Sequence, residues 1–388
     1  MSSPAPAAPT HLLRSHSADV TALSFSDDNE RLYSGDAAGR VVVTSTRALR
    51  PIVSWPAHTD GILGVQEWGA RVLTHARDHK LHVWARVEDP PRVGASAAMS
   101  GAGVPPPTLC YSLDVNALNF CRFSLLPGPA ASDGGEATAL VALPNLVESA
   151  EADVWALPSR TRVHASVGTQ RTQPMFSLGG REGMKTGLIM GLHLFRAGSS
   201  ASSSSVHESE LRLLCAYEDG SVVLRRFAGE AGASSMEGRG WDVVWRSKLH
   251  VEAIMAMRVS RDNRLALTVS ADHVVGRYDL DADADGAGVV HRTTHAGNGC
   301  VALRDDGRVC AVGGWDGRIR LYTTKSMKPG CLAVEFARAV ECAEVKDGEE
   351  DEEDEMSGAE REGRGRWLAA GAKDQRVSLW GLISFERV

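Results

Sequence analysis

One spacing constrains this chain more than any other: an Asp followed six residues later by an aromatic, at the end of an apolar run. It occurs as Asp78 and Trp84 in RVLTHARDHKLHVW, and as Asp272 and Tyr278 in RLALTVSADHVVGRY. It recurs as Asp316 and Tyr322 in RVCAVGGWDGRIRLY, and as Asp374 and Trp380 in RWLAAGAKDQRVSLW. Each copy reads as two short β-runs joined by a tight turn that holds the Asp. Repetition at intervals of a few tens of residues marks an architecture built from copies of one unit.

Three weaker copies fill the gaps between the strong ones. The first, residues 19–44, keeps the strands but has Ala38 and Thr44 where the others carry Asp and an aromatic. The third, from Asn116 to about Leu157, keeps strand patterning and a terminal Asp153-Val154-Trp155. The fourth, residues 187–227, retains Asp219 but has Arg225 at the aromatic position. Seven copies thus tile the chain. A small antiparallel sheet cannot bury both of its faces alone, and stacking such sheets in a ring does so while leaving short edges. The expected fold is all-β, a seven-bladed WD40-type β-propeller, in one domain over residues 1–388.

A polar set is expected within the best-preserved blades: a His in the loop before the first strand, a hydroxyl on the second, the turn Asp, and the aromatic on the third. In blade two these are His58, Thr74, Asp78 and Trp84. In blade five they are His250, Thr268, Asp272 and Tyr278. The last blade supplies three strands before the chain ends, so residues 10–14, which have no other sheet to join, are expected to close the ring as its outermost strand.

Four insertions depart from a minimal blade, at about 90–108, 127–137, 196–210 and 346–366. They are rich in Pro, Gly, Ser or like charge, including SSASSSS and the acidic EEDEEDE at Glu349 to Glu355, and they read as flexible loops. The acidic run reads as a solvated spacer, with recruitment of a basic partner such as a histone tail as the alternative.

Composition narrows function mainly by exclusion. The formal net charge of −7 and scattered basic residues argue against direct DNA or RNA binding. No apolar stretch is long enough to span a bilayer, and the N-terminus lacks the basic and apolar regions of a signal peptide. Seven cysteines without a C-x-x-C pair, most of them in apolar runs, suit a reducing compartment. No nucleophile elbow, zincin or P-loop pattern is present, and GREGMK at residues 180–185 has the wrong spacing for a Walker motif. His75, Asp78, His79 and His82 resemble a metal-ligand cluster, but strand alternation and the turn do not require them to converge. No catalytic residue, metal, cofactor or small-molecule substrate is expected.

Three segments carry a family resemblance. RALRPIVSWPAHTDGILGVQEWGARVLTHARDHKLHVWARV at residues 47–87 resembles the second repeat of the fungal ASTRA-associated protein 1 family. GRWLAAGAKDQRVSLWGL at 365–382 is similar to its closing repeat, and SGDAAGRVVV at 34–43 to its opening one. Blade one departs from the family pattern, with VVVTSTR where an aromatic followed by Asp is usual. The resemblance implies a nuclear, non-catalytic WD-repeat scaffold linked to chromatin remodelling and to assembly of kinase-related proteins. The partners it implies are the Tel/Tti co-chaperone proteins, the Tra-type scaffold and the Rvb-type ATPases. Animal relatives of that family are described as G-protein β-subunit-like. The alternative is a generic WD40 adaptor, such as a ubiquitin-ligase substrate receptor. A heterotrimeric G-protein β-subunit is disfavoured, because only about ten residues precede the first expected strand, too few for the helix that pairs with a γ subunit.

Overall fold

The computed structural model describes residues 9–87, 104–129, 136–169, 187–197, 210–230, 232–282, 288–325, 363–371 and 373–381, with the backbone of 329–330. The acidic run, SSASSSS and GREGMK lie outside these residues. Two compact units are distinguished, one of residues 1–113, 302–311 and 317–388, the other of 114–301 and 312–316.

In the first unit, β2 (Val20–Phe25), β3 (Arg31–Asp36), β4 (Arg40–Ser45) and β5 (Arg50–Pro56) form an antiparallel sheet in chain order. The next sheet has β6 (Ile62–Trp68), β7 (Arg71–Ala76), β8 (Lys80–Ala85) and β9 (Leu109–Asp114). A third holds β1 (His11–Leu13), β26 (Trp367–Gly371) and β27 (Val377–Gly381) in the order β1-β27-β26. The N-terminal strand is therefore the outermost strand of the last sheet, with His11 opposite Leu379 and Leu13 opposite Val377.

The second unit holds three four-stranded sheets, again in chain order. They are β10 (Ser124–Pro127) to β13 (Thr161–Val167) through β11 (Ala139–Pro144) and β12 (Ala152–Leu157); β14 (Ile189–Arg196), β15 (Leu211–Tyr217), β16 (Ser221–Phe227) and β17 (Trp241–Lys248); and β18 (Ile254–Val259), β19 (Leu265–Ser270), β20 (Val274–Asp279) and β21 (Gly288–Arg292). A seventh sheet, β22 (Asn298–Leu303), β23 (Val309–Gly314), β24 (Ile319–Thr323) and β25 (Pro329–Gly330), takes residues from both units. Pro127 and Arg196 end strands rather than open loops.

Burial along the strands explains the sequence pattern. Every residue of β3 is buried, whereas β5 alternates and β21 has no buried residue. A strand covered on both faces reads as a continuous apolar run, and an outer strand alternates. Between β2–β5 and β6–β9, Tyr33, Trp55, Ile62, Val65 and Trp84 form one core cluster, with the Trp55 and Trp84 rings 5.9 Å apart and edge-on. Tyr33 donates to Glu67, which also accepts from Arg86 at 2.9 Å. Leu13, Val20, Phe25, Leu32, Val377 and Leu379 form another cluster beneath β1.

The second-to-third strand turn has a fixed chemistry. The Asp carboxylate accepts the N–H two residues on: Lys80 to Asp78, Ser221 to Asp219, Val274 to Asp272 and Arg376 to Asp374. In most copies the residue between is left-handed, as at His79 (φ 64°), Gln375 (φ 64°), Gly39 (φ 81°), Gly220 (φ 83°) and Gly317 (φ 73°). At Gly39 no side chain fits, since an added Cβ would sit 2.2 Å from the His58 carbonyl oxygen. Short polar side chains favour such turns because they bond their own backbone. Among the described residues, no helix is long and apolar enough to cross a membrane.

Candidate functional site

The most structured polar group in the first unit is built on the second sheet. His58 lies in the loop ahead of β6, Thr74 on β7, Asp78 in the following turn and Trp84 on β8. His58 Nδ1 lies 2.9 and 3.0 Å from the Asp78 oxygens, and its Nε2 lies 2.7 Å from Thr74 Oγ1. Trp84 Nε1 donates to Thr74 Oγ1 at 2.9 Å. Burial lowers the His58 pKa against the opposing pull of Asp78, so the ring is neutral, with Nδ1–H donating to Asp78 and Nε2 accepting from Thr74. Burial would raise Asp78, but the Thr59 N–H and His58 outweigh it and hold the carboxyl below its ordinary value. Every polar atom of the histidine is thus spent on the fold.

The third sheet of the second unit repeats this arrangement. His250 Nδ1 lies 3.0 Å from Asp272 Oδ2, and Nε2 lies 2.8 Å from Thr268 Oγ1, itself 3.3 Å from the Tyr278 hydroxyl. Burial lowers His250 as it does His58. The remaining expected positions are placed differently. Asp316 is exposed and Tyr322 is buried on β24; Asp374 is exposed and Trp380 half-buried on β27. The position equivalent to Thr74 is Val312 in one of these repeats and Ala370 in the other. Neither offers a hydroxyl to join a His to an aromatic.

Blade one requires a correction. Its turn position is Ala38, yet an Asp is present: Asp36, two residues earlier at the end of β3. His16 Nδ1 lies 2.8 Å from Asp36 Oδ2 and His16 Nε2 lies 2.7 Å from Ser34 Oγ, while Asp36 Oδ1 accepts from the Ala38 and Arg40 N–H groups. The signal was the separation: His16 and Asp36 are 20 residues apart, as are His58 and Asp78. Blade four is rebuilt instead. Cys215 stands at the hydroxyl position, and Arg225, at the aromatic position, donates to the Tyr217 hydroxyl at 3.0 Å. Blade three ties Asn145 Nδ2 to the buried Asp153 at 2.9 Å. Cys110 and Cys300 are exposed, whereas Cys121, Cys215 and Cys310 are buried.

The histidine-rich turn brings together only two of its four candidate ligands, Asp78 and His82, and joins them to His58. Alternation places His82 and Trp84 on one face of β8, and the His82 ring stacks on His58 at 4.3 Å. His58, Asp78 and His82 consequently bring ligand atoms within 4.8 Å of one another, a group that includes neither His75 nor His79. The donors do not fit a metal. Both His58 nitrogens are engaged, and His82 Nδ1 is bonded to Ser112 at 2.7 Å. His75 is buried in the strand with its pKa pushed down to about 3, first by burial, and is not part of the group. A cation would have to break the His58–Asp78 pair that holds the turn.

Comparison with known proteins gives this geometry a family context. The WD domain, G-beta repeat model matches residues 7–44 and 290–323. ASTRA-associated protein 1 of Verticillium alfalfae is 33% identical over 406 residues, covering 97% of this chain and 93% of that protein. The Aspergillus niger protein of the same name is 29% identical, covering 97% of each. Guanine nucleotide-binding protein subunit beta-like protein 1 of Mus musculus is 26% identical, covering 98% of this chain and 97% of its own. In structure the chain is similar to the Cps50 (Swd1) β-propeller domain of Myceliophteria thermophila, with TM-score 0.61 and 14% identity over 97% of this chain and 99% of that one. The fold is therefore an all-β, seven-bladed WD-type propeller.

Proposed function

Because the chain belongs to the ASTRA-associated protein 1 family, we propose that it is a non-catalytic WD-repeat scaffold subunit of the ASTRA complex. Its setting is the nucleus, and its role is in chromatin remodelling and the assembly of kinase-related proteins. The partners are the Tel/Tti co-chaperone proteins, the Tra-type scaffold and the Rvb-type ATPases. Similarity over nearly the full length, rather than over single repeats, is the observation that carries this reading.

The polar chemistry supports it. The histidines that would serve as bases, His58 and His250, each have both nitrogens committed to neighbouring strands and turns. Recognition then falls to the loops, which are free to differ from copy to copy while the strands conserve stability. A standard interface buries about 800 Å² on each partner, an area that several adjacent loops supply.

The test is affinity purification from cells, comparing wild type, a deletion of residues 347–362 and Trp84→Ala. Recovery of the Tel/Tti partners with wild type and with the deletion, and their loss with Trp84→Ala, is the expected result. Their absence from the wild-type purification defeats the ASTRA assignment and promotes the generic WD40 adaptor. Their loss in the deletion alone moves the binding site to the acidic segment.

A further inference from the structure

One connection in the second unit is much longer than its hairpin requires. β16 ends at Phe227 and β17 begins at Trp241, whereas an antiparallel pair turns in about 2–5 residues. The surplus chain crosses to the neighbouring sheet. Residues 235–238 lie along the outer edge of β13, with a parallel bridge between His164 and Ser235. Ser235 N–H donates to the Val163 carbonyl at 2.8 Å, Ala165 N–H to the Ser235 carbonyl at 2.9 Å, and Gly238 N–H to the Ala165 carbonyl at 2.8 Å. Among the described residues this is the one bridge formed outside the named strands.

Two side-chain positions fix the register of this strap. His164 Nδ1 lies 3.0 Å from Ser235 Oγ. The His164 ring packs 4.5 Å from Phe227 and edge-on at 5.2 Å from Trp241, the facing pair at the base of the long connection. His164 and Ser235 are both buried. With Ser235 seated there, Gly238 falls against the Ser166 carbonyl, with φ 64°. An added Cβ would sit 2.6 Å from that oxygen, so glycine meets both the left-handed backbone and the close approach. The other side of the strap is solvent, with Ser234, Met236, Glu237 and Arg239 exposed.

A free strand edge is a template for pairing with another chain, and proteins commonly cover it. We propose that the outer edge of β13 is a strand-accepting site that the chain keeps occupied with its own residues 235–238. The competing occupant is an extended polypeptide segment running parallel to β13, with a small hydroxyl side chain and a glycine three residues on. Main-chain bonds supply affinity in such a site and the side-chain positions supply selectivity. Here the hydroxyl meets His164 and the glycine clears Ser166. The tether gives the strap a high effective concentration, so the edge is closed by default. Its bonds lie at a sheet edge beside exposed residues, which places it among the contacts that open before the sheets do. The inference does not depend on the identity of the complex.

Two full-length variants test it. Gly238→Val cannot seat its own strap, and a second variant replaces residues 228–240 with an Asn-Gly turn between Phe227 and Trp241. Each is titrated with a synthetic peptide of residues 232–240 with blocked termini. The peptide is expected to bind both variants at least about tenfold more tightly than it binds wild type, and to lose that binding when it carries Gly238→Val itself. In wild type, the Ala165, Ser235 and Gly238 amides are expected to exchange with solvent together, and faster than those of Val141 and Val154 within the sheet. Failure of the peptide to bind a folded variant, or binding to wild type of equal strength, overturns the proposal. If neither variant folds, exchange in wild type decides: strap amides that exchange only with the Val141 and Val154 amides make the strap a fixed part of the fold and overturn it.

Discussion

His16 Nδ1 lies 2.8 Å from Asp36 Oδ2 with both side chains sealed from solvent, 1% and 0% exposed. Asp36 also accepts two backbone N–H groups across the turn to β4. Its loss strands the buried His16 ring nitrogen, worth about 1–3 kcal/mol when unsatisfied, and also removes the acceptor of two part-buried backbone N–H groups. Asp36→Ala is expected to lower the free energy of unfolding by more than that single-bond range, read from urea titration. Ala38→Asp, which restores the residue of the other repeats at an exposed position, is expected to leave it nearly unchanged. Equal effects of the two would refute the role given to Asp36.

In blade two the prediction is a graded series. Trp84→Ala removes a large packed ring that meets Trp55 edge-on and costs about 3–5 kcal/mol. Thr74→Val keeps the shape but leaves His58 Nε2 and Trp84 Nε1 without their shared hydroxyl, costing about 1–3 kcal/mol. A double-mutant cycle between Thr74→Val and Trp84→Phe should show a coupling energy outside error, because the two share one hydrogen bond. Additive effects would separate them.

Much of this was legible in sequence, for a local reason. The Asp, the left-handed residue after it and the aromatic six residues on are all features of one hairpin, so they keep a fixed spacing. Asp36 escaped because a strand offers a second position, two residues back on the same face, from which a carboxylate reaches the same loop. Arg225 was visible as an anomaly, but its partner Tyr217 stands on the neighbouring strand, and cross-strand register is not printed in spacing. The stacking of His82 on His58 is hidden for the same reason.

Blade four offers a sharper test of buried charge. Arg225 is 7% exposed, and its guanidinium is held by the Tyr217 hydroxyl. Cys215 also bonds the guanidinium, so removing the Tyr217 hydroxyl leaves the buried charge with one partner fewer, whereas removing the charge itself with an apolar residue of similar length is often neutral or stabilising. Tyr217→Phe is therefore expected to destabilise more than Arg225→Met. Thermal unfolding of the two variants and their combination decides it. If Arg225→Met proves the more damaging, the guanidinium is a net contributor to stability.

Residues 10–14 supply the strand that covers one edge of the last sheet, pairing His11–Leu13 with Val377–Leu379 and burying Leu13 in the cluster with Phe25 and Leu32. Deleting the chain through Arg14 exposes that edge and opens the cluster. A clearly lower melting temperature and concentration-dependent association, through the bared edge, are expected. An unchanged melting curve by calorimetry would show that β1 adds nothing.

The last prediction concerns pH. Burial is the leading cause that pushes His82 and His164 down to about 4 and His75 to about 3, and it lowers His58 and His250 as well. These rings bind protons more readily when the chain unfolds, where each returns towards 6.5. The unfolded state therefore takes up more protons between about pH 6.5 and 4, so stability is complete above that window and falls as the pH drops through it. His164 isolates one such contribution: it is bonded to Ser235 at 3.0 Å and packed against Phe227 and Trp241, and burial alone sets its shift. His164→Gln keeps a hydrogen-bonding side chain but cannot titrate. Its unfolding free energy, measured across that window, is expected to fall less steeply than wild type by close to one proton. A slope identical to wild type would mean that His164 is protonated in the folded protein and that another histidine drives the acid sensitivity.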